Sequence, residues 1–246
     1  MIVDEAYVLD TEEVAGLSGE WPFTLPPVRQ LVAEGITFRA PVTFLVGENG
    51  FGKSTLVEAL AEAYGVDVRG GHAGRRYSSP LEKGALGERL KLRSAPGGRR
   101  MKGRRAKGFF LRAETAFEVF NFMSTVGVPG YGEKHLAEVS HGESFLQVFE
   151  GRFTEAGLYL MDEPEAALSF SSCLRLMSIM DDLARGGGQI ICATHSPVIA
   201  GLPGAQILEL DERGIRPVTW RQLQIVDHWR RYLENPEAYL RHVLGP

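Results

Sequence analysis

The 246-residue sequence has only two cysteines, Cys173 and Cys192. They lack metal-ligand spacing and cannot build a disulfide framework, which excludes a cysteine-stapled secreted scaffold and suits a reducing cytoplasm. Cys173 falls in a helical pattern and Cys192 in an apolar strand pattern, so both are expected in the core. Long hydrophobic runs are missing too. Runs such as Val42 to Val46 and Leu158 to Met161 fall far short of a bilayer span, so no insertion into a membrane is expected. The opening MIVDEAYVLDTEEV carries acids where a secretory signal would carry a basic region. There is no internal repeat and no heptad run. With 44% hydrophobic and 24% charged residues, wholesale disorder is excluded, and the length suits one α/β domain over residues 1–246, with a two-lobed form equally open.

Positive charge is concentrated in one stretch. From Arg69 to Lys107 there are thirteen Lys or Arg against Glu82 and Glu88, although the whole chain carries a net charge of −4. Such asymmetry bears on partners and not on fold. Over residues 66–108 the periodicity dissolves into Gly, Arg, Ser and Pro, which reads as a loop-rich basic insertion or lobe. Its GGRRMKGRRAKG can neutralise phosphates of a nucleic acid; the plainer alternative is a solvated lobe that offsets the acidic remainder or faces a nucleotide.

Elsewhere the patterns alternate. VTFLV (42–46), between Pro41 and Gly47, reads as a buried parallel strand. STLVEALAEAY, from Ser54, has apolar Leu56, Leu60 and Tyr64 at four-residue steps and predicts a helix. FFLRAETAFEVFNFM holds clustered phenylalanines expected in the core. GLYLMDE reads as a strand ending in two carboxylates, and Cys173, Leu176, Met180 and Leu183 predict a helix that stops at Gly186 to Gly188. QIICATHS is another strand, Ile207 to Trp220 a hairpin turning at Arg213 and Gly214, and Gln222 to Leu244 one or two helices broken near Pro236. Strands alternating with helices imply a mostly parallel sheet covered on both faces, with an antiparallel part.

Between the first strand and helix lies GENGFGKST. Gly47, Gly52, Lys53 and Ser54 occupy the fixed places of G-x-x-x-x-G-K-[ST], with Glu48, Asn49, Gly50 and Thr55 completing the loop. Glycine permits positive φ and close backbone approach, so successive N–H groups can point at phosphate oxygens, aided by the dipole of the following helix. Lys53 would reach the β- and γ-phosphates, and the Ser54 hydroxyl would ligate Mg²⁺. Kinases, GTPases and motor ATPases share this loop, so it sets no class by itself. Asp162 and Glu163, at the end of a buried strand, are placed where an open α/β sheet binds ligands. Asp162 could hold Mg²⁺ through a water, and Glu163 could deprotonate the attacking water.

From the phosphate loop to His195 the chain resembles the ABC-type ATPases. VSHGE (139–143) stands where that family carries its LSGGQ signature and keeps the serine and second glycine as Ser140 and Gly142. The resemblance implies ATP and Mg²⁺ as cofactors, and a homodimer closing on ATP in which Ser140 and Gly142 of one copy cap the γ-phosphate held by the other. It also implies that His195, in ATHS, is the switch histidine sensing that phosphate, and that EAALS after Pro164 is the D-loop, with Ser169 in place of the usual aspartate. Transporter members carry a glutamine between loop and signature; residues 31–146 contain none, and Glu114 is the nearest substitute. The chain therefore looks closer to small stand-alone members akin to the ATPase heads of DNA-repair and chromosome-maintenance proteins, acting on nucleic acid through 69–107 or on a protein partner. The alternative is the ATPase subunit of a membrane transporter. Family members stack adenine on a residue upstream of the loop; Phe23 and Phe38 are candidates, each also a core residue by pattern.

Overall fold

The computed structural model describes residues 1–9, 12–72, 83–97, 107–113, 146, 149–150 and 155–244. Strand β1 (Val3–Val8) leads to helices α1 (Glu12–Gly16) and α2 (Pro26–Glu34), then β2 (Ile36–Thr37) and β3 (Val42–Val46). Helix α3 (Lys53–Tyr64), β4 (Gly71–His72), α4 (Ala85–Arg89), β5 (Leu90–Ser94) and β6 (Gly108–Arg112) follow. The chain continues through β7 (Leu158–Asp162), α5 (Phe170–Arg185), β8 (Gln189–Thr194), β9 (Gln206–Asp211), β10 (Gly214–Val218), α6 (Gln224–Glu234) and α7 (Pro236–Leu244).

Seven strands form one sheet in the order β10-β9-β3-β8-β7-β6-β4. Its inner five are parallel, and β10 and β4 run antiparallel at the two edges. All five residues of β3 and all six of β8 are buried, as expected of strands covered on both faces, where alternation of polar and apolar residues disappears. Successive side chains feed opposite cores: Leu45 and Phe110 join the apolar cluster under α2 and α3, whereas Phe44, Val46 and Phe109 join the one under α5. Helix α5 buries Cys173, Leu176, Met180 and Leu183, the four residues its spacing predicts. Ser169, which replaces the resembling family's aspartate, caps this helix by accepting the Ser172 N–H at 3.2 Å.

A second, antiparallel sheet of order β2-β1-β5 stands beside the first. Its β5 is a regular strand inside the stretch 66–108, expected to be a loop-rich insertion or lobe. Leu90 and Leu92 are buried while Lys91 and Arg93 are exposed, a period-two pattern obscured by the surrounding arginines and glycines. Glu62 fixes α4 in the same segment, its carboxylate accepting the Gly84 N–H at 2.9 Å. Fully buried Gln189, at the start of β8, ties the two sheets together: its Oε1 accepts the N–H groups of Ile2 and Val3 at 2.7 and 2.8 Å, and its Nε2 donates to the Val3 carbonyl at 2.7 Å. Among the described residues, no helix is long and apolar enough to cross a membrane.

Candidate active site

Register, more than sequence proximity, assembles the site. Strand β8 lies between β3 and β7, pairing Thr194 with Val46 and Ala193 with Asp162. The residues that leave these three strands, Gly47, His195 and Glu163, therefore share one edge of the sheet, its C-terminal edge. In a parallel sheet this is the edge at which ligands bind.

Two glycines of the phosphate loop, Gly47 and Gly52, stand where a side chain would crowd its neighbours. A Cβ on Gly47 would come within 2.2 Å of the Leu210 carbonyl oxygen, because the loop leaves β3 against β9. Gly52 has φ +83°, and a Cβ there would meet Leu25 at 2.8 Å, so this residue turns the chain in the left-handed region and directly precedes α3. The first N–H groups of α3 have no partner four residues back within the helix, which leaves them available to an anion held at the loop. Lys53, only 4% exposed, bends back so that Nζ donates to the Glu48 carbonyl at 2.9 Å. Burial pulls its pKa below the usual lysine range, opposed by the charges of Glu163, Asp162, Glu165 and Glu48.

Ser54 Oγ donates to Asp162 Oδ1 at 3.0 Å, so the loop hydroxyl and the β7 carboxylate converge. Asp162 is 5% exposed, and burial pushes its pKa up to about 6; the Ser54 hydrogen bond and Arg112 act in the opposite direction, while Glu163 and Glu58 add to the rise. A buried carboxylate with a hydroxyl beside it is a hard-oxygen donor set that fits Mg²⁺, which keeps waters and phosphate oxygens and needs few protein ligands.

The raised pKa makes a signed prediction. The folded chain binds a proton on Asp162 more tightly than the unfolded chain, so the ionised aspartate costs stability as pH rises from about 4 towards 6 and beyond. Asp162→Asn is expected to stabilise the nucleotide-free protein above pH 7 by about 2–3 kcal/mol, with the gain vanishing below pH 4. Thermal melts at the two pH values check this, and an equal gain at both would contradict it.

Strand β7 ends at Asp162, one residue earlier than the DE pair suggests, and Glu163 opens the following turn at φ 50°, ψ 50°. It is the one non-glycine residue with positive φ among the described residues, a conformation costing about 1–3 kcal/mol that persists only where surrounding contacts impose it. One such contact is the Glu163 N–H donated to the Ala193 carbonyl at 3.0 Å. His195 Nε2 stands 2.8 Å from Glu163 Oε1, but Nε2 makes no aligned hydrogen bond, so the contact is a close approach and not a formed pair. Glu165, in the same turn, hydrogen bonds the segment that carries His195.

Phe23 and Phe38 are 2% and 1% exposed, which removes both as base-stacking platforms. Trp21, two residues before Phe23, is 70% exposed on the turn whose Leu25 abuts Gly52. Sequence pattern passed over it; a tryptophan among polar and turn-forming residues was the available signal. Nor did the sequence reveal that α6 reaches the site, where His228 and Trp229 help line a cavity of about 290 Å³ beside Gly47, Glu48 and His195. Ser140, Gly142 and Glu114 lie outside the described residues, as does much of the basic stretch 69–107.

Two family models match the sequence. One, "AAA domain, putative AbiEii toxin, Type IV TA system", covers residues 140–201, which include Ser140, Gly142, Asp162, Glu163 and His195. The other, "AAA domain", covers 28–79 and with it the phosphate loop. The ribose import ATP-binding protein RbsA 1 of Burkholderia ambifaria is 29% identical over 77% of this chain and 39% of its own length. The cytochrome c biogenesis ATP-binding export protein CcmA of Cupriavidus necator is 45% identical over 23% of each chain. The chain thus spans well under half of these curated relatives. Among solved structures, cbiO1 from Clostridium perfringens, part of the ABC transporter complex cbiONQ, superposes with a TM-score of 0.46 and 16% identity over 86% of this chain and 90% of that one. In its phosphate loop and in both partial family matches the chain is similar to P-loop ATPases of the AAA/ABC type.

Proposed function

We propose that this chain hydrolyses Mg²⁺-ATP at the edge formed by β3, β8 and β7, and that each site is completed by Ser140 and Gly142 of a second copy. The observation that carries the reading is the strand register, which sets the phosphate loop, Asp162, Glu163 and His195 side by side. In this reading the loop from Gly47 to Thr55 binds the phosphates and Lys53 neutralises charge on the β- and γ-groups. Ser54 and Asp162 would hold Mg²⁺, which when bound would supply positive charge beside the phosphates. Glu163 takes a proton from the attacking water, and His195 contacts the γ-phosphate. The expected arrangement is a dimer that forms with ATP and separates after hydrolysis. Sedimentation of the hydrolysis-deficient Glu163→Gln protein tests it: a dimer with Mg²⁺-ATP and a monomer without nucleotide support the reading, and a monomer throughout refutes the two-copy site.

Adenine recognition belongs to Trp21 in this reading, on the strength of its exposure and the contact of its turn with Gly52. Trp21→Ala is expected to weaken ATP binding about tenfold, a stacking contribution of roughly 1–3 kcal/mol. GTP and ATP should then bind alike. Unchanged ATP affinity in a fluorescence titration would remove Trp21 from the site.

Two settings for the hydrolysis have separate support. Residues 31–146 lack a glutamine and 69–107 are strongly basic, which favours a stand-alone ATPase akin to DNA-repair heads, acting on nucleic acid or a protein partner. The names of the relatives, import and export ATP-binding proteins, favour a transporter's ATPase subunit. A pull-down with Glu163→Gln, analysed for nucleic acid and for membrane and soluble proteins, separates the two.

A further inference from the structure

Glu165 is absent from the roles assigned above, yet it makes the densest set of side-chain hydrogen bonds near the site. A single carboxylate oxygen, Oε1, accepts the Thr194 hydroxyl at 2.6 Å, the His195 N–H at 2.6 Å and the Ser196 N–H at 3.0 Å. Thr194 Oγ1 in turn accepts the Ser196 N–H at 2.9 Å, and Ser196 Oγ accepts the Ile199 N–H at 3.2 Å. The other oxygen, Oε2, is shielded from solvent with no partner, so the whole hydrogen-bonding capacity in use points at the residues around His195. Both 2.6 Å distances are short for hydrogen bonds to a carboxylate oxygen.

The geometry points to Glu165 as a positioning residue that locks the turn of Glu163 to the segment of His195. Glu163 and Glu165 lie on one short turn, opened by Glu163 and continued as a 3₁₀ segment through Pro164–Ala167. Its start is held to β8 by the Glu163 N–H on the Ala193 carbonyl, and Glu165 holds it again one to three residues further on, at Thr194, the last residue of β8, and at His195 and Ser196 just beyond it. The base and the histidine are thereby carried on two backbone segments bonded at both ends of the gap between them. A displacement of the turn moves His195 with it. Nothing in the sequence beyond an extra acid after the DE pair signals this, since the partners, one hydroxyl and two main-chain N–H groups, lie about thirty residues on.

This inference rests on the proposed roles of Glu163 and His195, so its test combines a structural and a kinetic readout. The structural one needs no turnover: the imidazole ¹⁵N resonances of His195, assigned by their loss in His195→Gln, are compared in the wild type, Glu165→Ala and Glu165→Gln. Glutamine keeps an acceptor at Oε1, so the resonances should shift in Glu165→Ala and stay near the wild type in Glu165→Gln. For the kinetics, Glu165→Ala should lower kcat by about a hundredfold, as small misplacements of reacting groups do, with the KM for ATP changed by less than about threefold. Glu165→Gln should recover most of the rate. The double variant Glu165→Ala, His195→Gln should be no slower than His195→Gln alone, because the two changes remove one function. Unmoved His195 resonances in Glu165→Ala, or effects that multiply in the double variant, would overturn the proposal. A wild type without ATPase activity would instead refute the proposed function, leaving the resonance comparison to decide on Glu165 alone.

Discussion

Glu163→Gln protein is expected to bind Mg²⁺-ATP with near-wild-type affinity and to release phosphate at least a hundredfold more slowly. The amide preserves the shape of the side chain but cannot accept a proton from water at neutral pH. General-base catalysis contributes about 10²–10⁴-fold, so the loss should fall in that range. The backbone at Glu163 sharpens the expectation. Its left-handed conformation is fixed by the Glu163 N–H bond to Ala193, which glutamine retains, so the substitution tests the carboxylate and not the turn. Phosphate release under single-turnover conditions gives the rate, and a rate within threefold of the wild type would assign the base elsewhere.

Lys53→Ala is expected to have the second largest effect, on binding instead of turnover. Lys53 is buried among four carboxylates and holds the loop closed through the Glu48 carbonyl, so its removal takes away both the cation that meets the β- and γ-phosphates and an internal tie. A loss of about a hundredfold in ATP affinity corresponds to roughly 2.7 kcal/mol. In the nucleotide-free protein two effects oppose: the desolvation of a buried ammonium is relieved, while Asp162 and Glu163 lose their neutralising neighbour. Its melting temperature should therefore change little, and the clear signature is loss of the stabilisation that saturating Mg²⁺-ATP gives the wild type. Calorimetric affinity equal to the wild type would reject the loop assignment.

The sequence was most legible where one local rule decides the outcome. The phosphate loop, β3, α3 and the buried stripe of α5 were readable because glycine placement and apolar periodicity are local signals, and the structure places them as the pattern implies. The hairpin of β9 and β10 and the two C-terminal helices were readable for the same reason. Strand β5 was hidden because Leu90 and Leu92 alternate with charged residues inside an arginine-rich stretch, and its pairing with β1 is a long-range fact. Adjacency was hidden as well. That His195 and Glu163 come within 2.8 Å depends on β8 inserting between β3 and β7, and strand order is not written in any one strand. The contacts of Glu165 and Gln189 are of this kind too, since each binds backbone groups distant in sequence. The exposure of Trp21 and the docking of α6 at the site escaped because both belong to the folded surface and leave no periodic trace.

The claim most open to direct test is that the site on β3, β8 and β7 is finished by another copy of the chain. Lys53→Ala removes the phosphate-loop half, and Ser140→Arg removes the opposing half; each protein alone should be inactive. Mixed in equal amounts and allowed to exchange, half of the dimers would be mixed, each with one wild-type loop facing one wild-type Ser140. ATPase activity is expected to return in the mixture to about a quarter of the wild-type rate, if each intact site works independently. Full activity of Ser140→Arg on its own would contradict it.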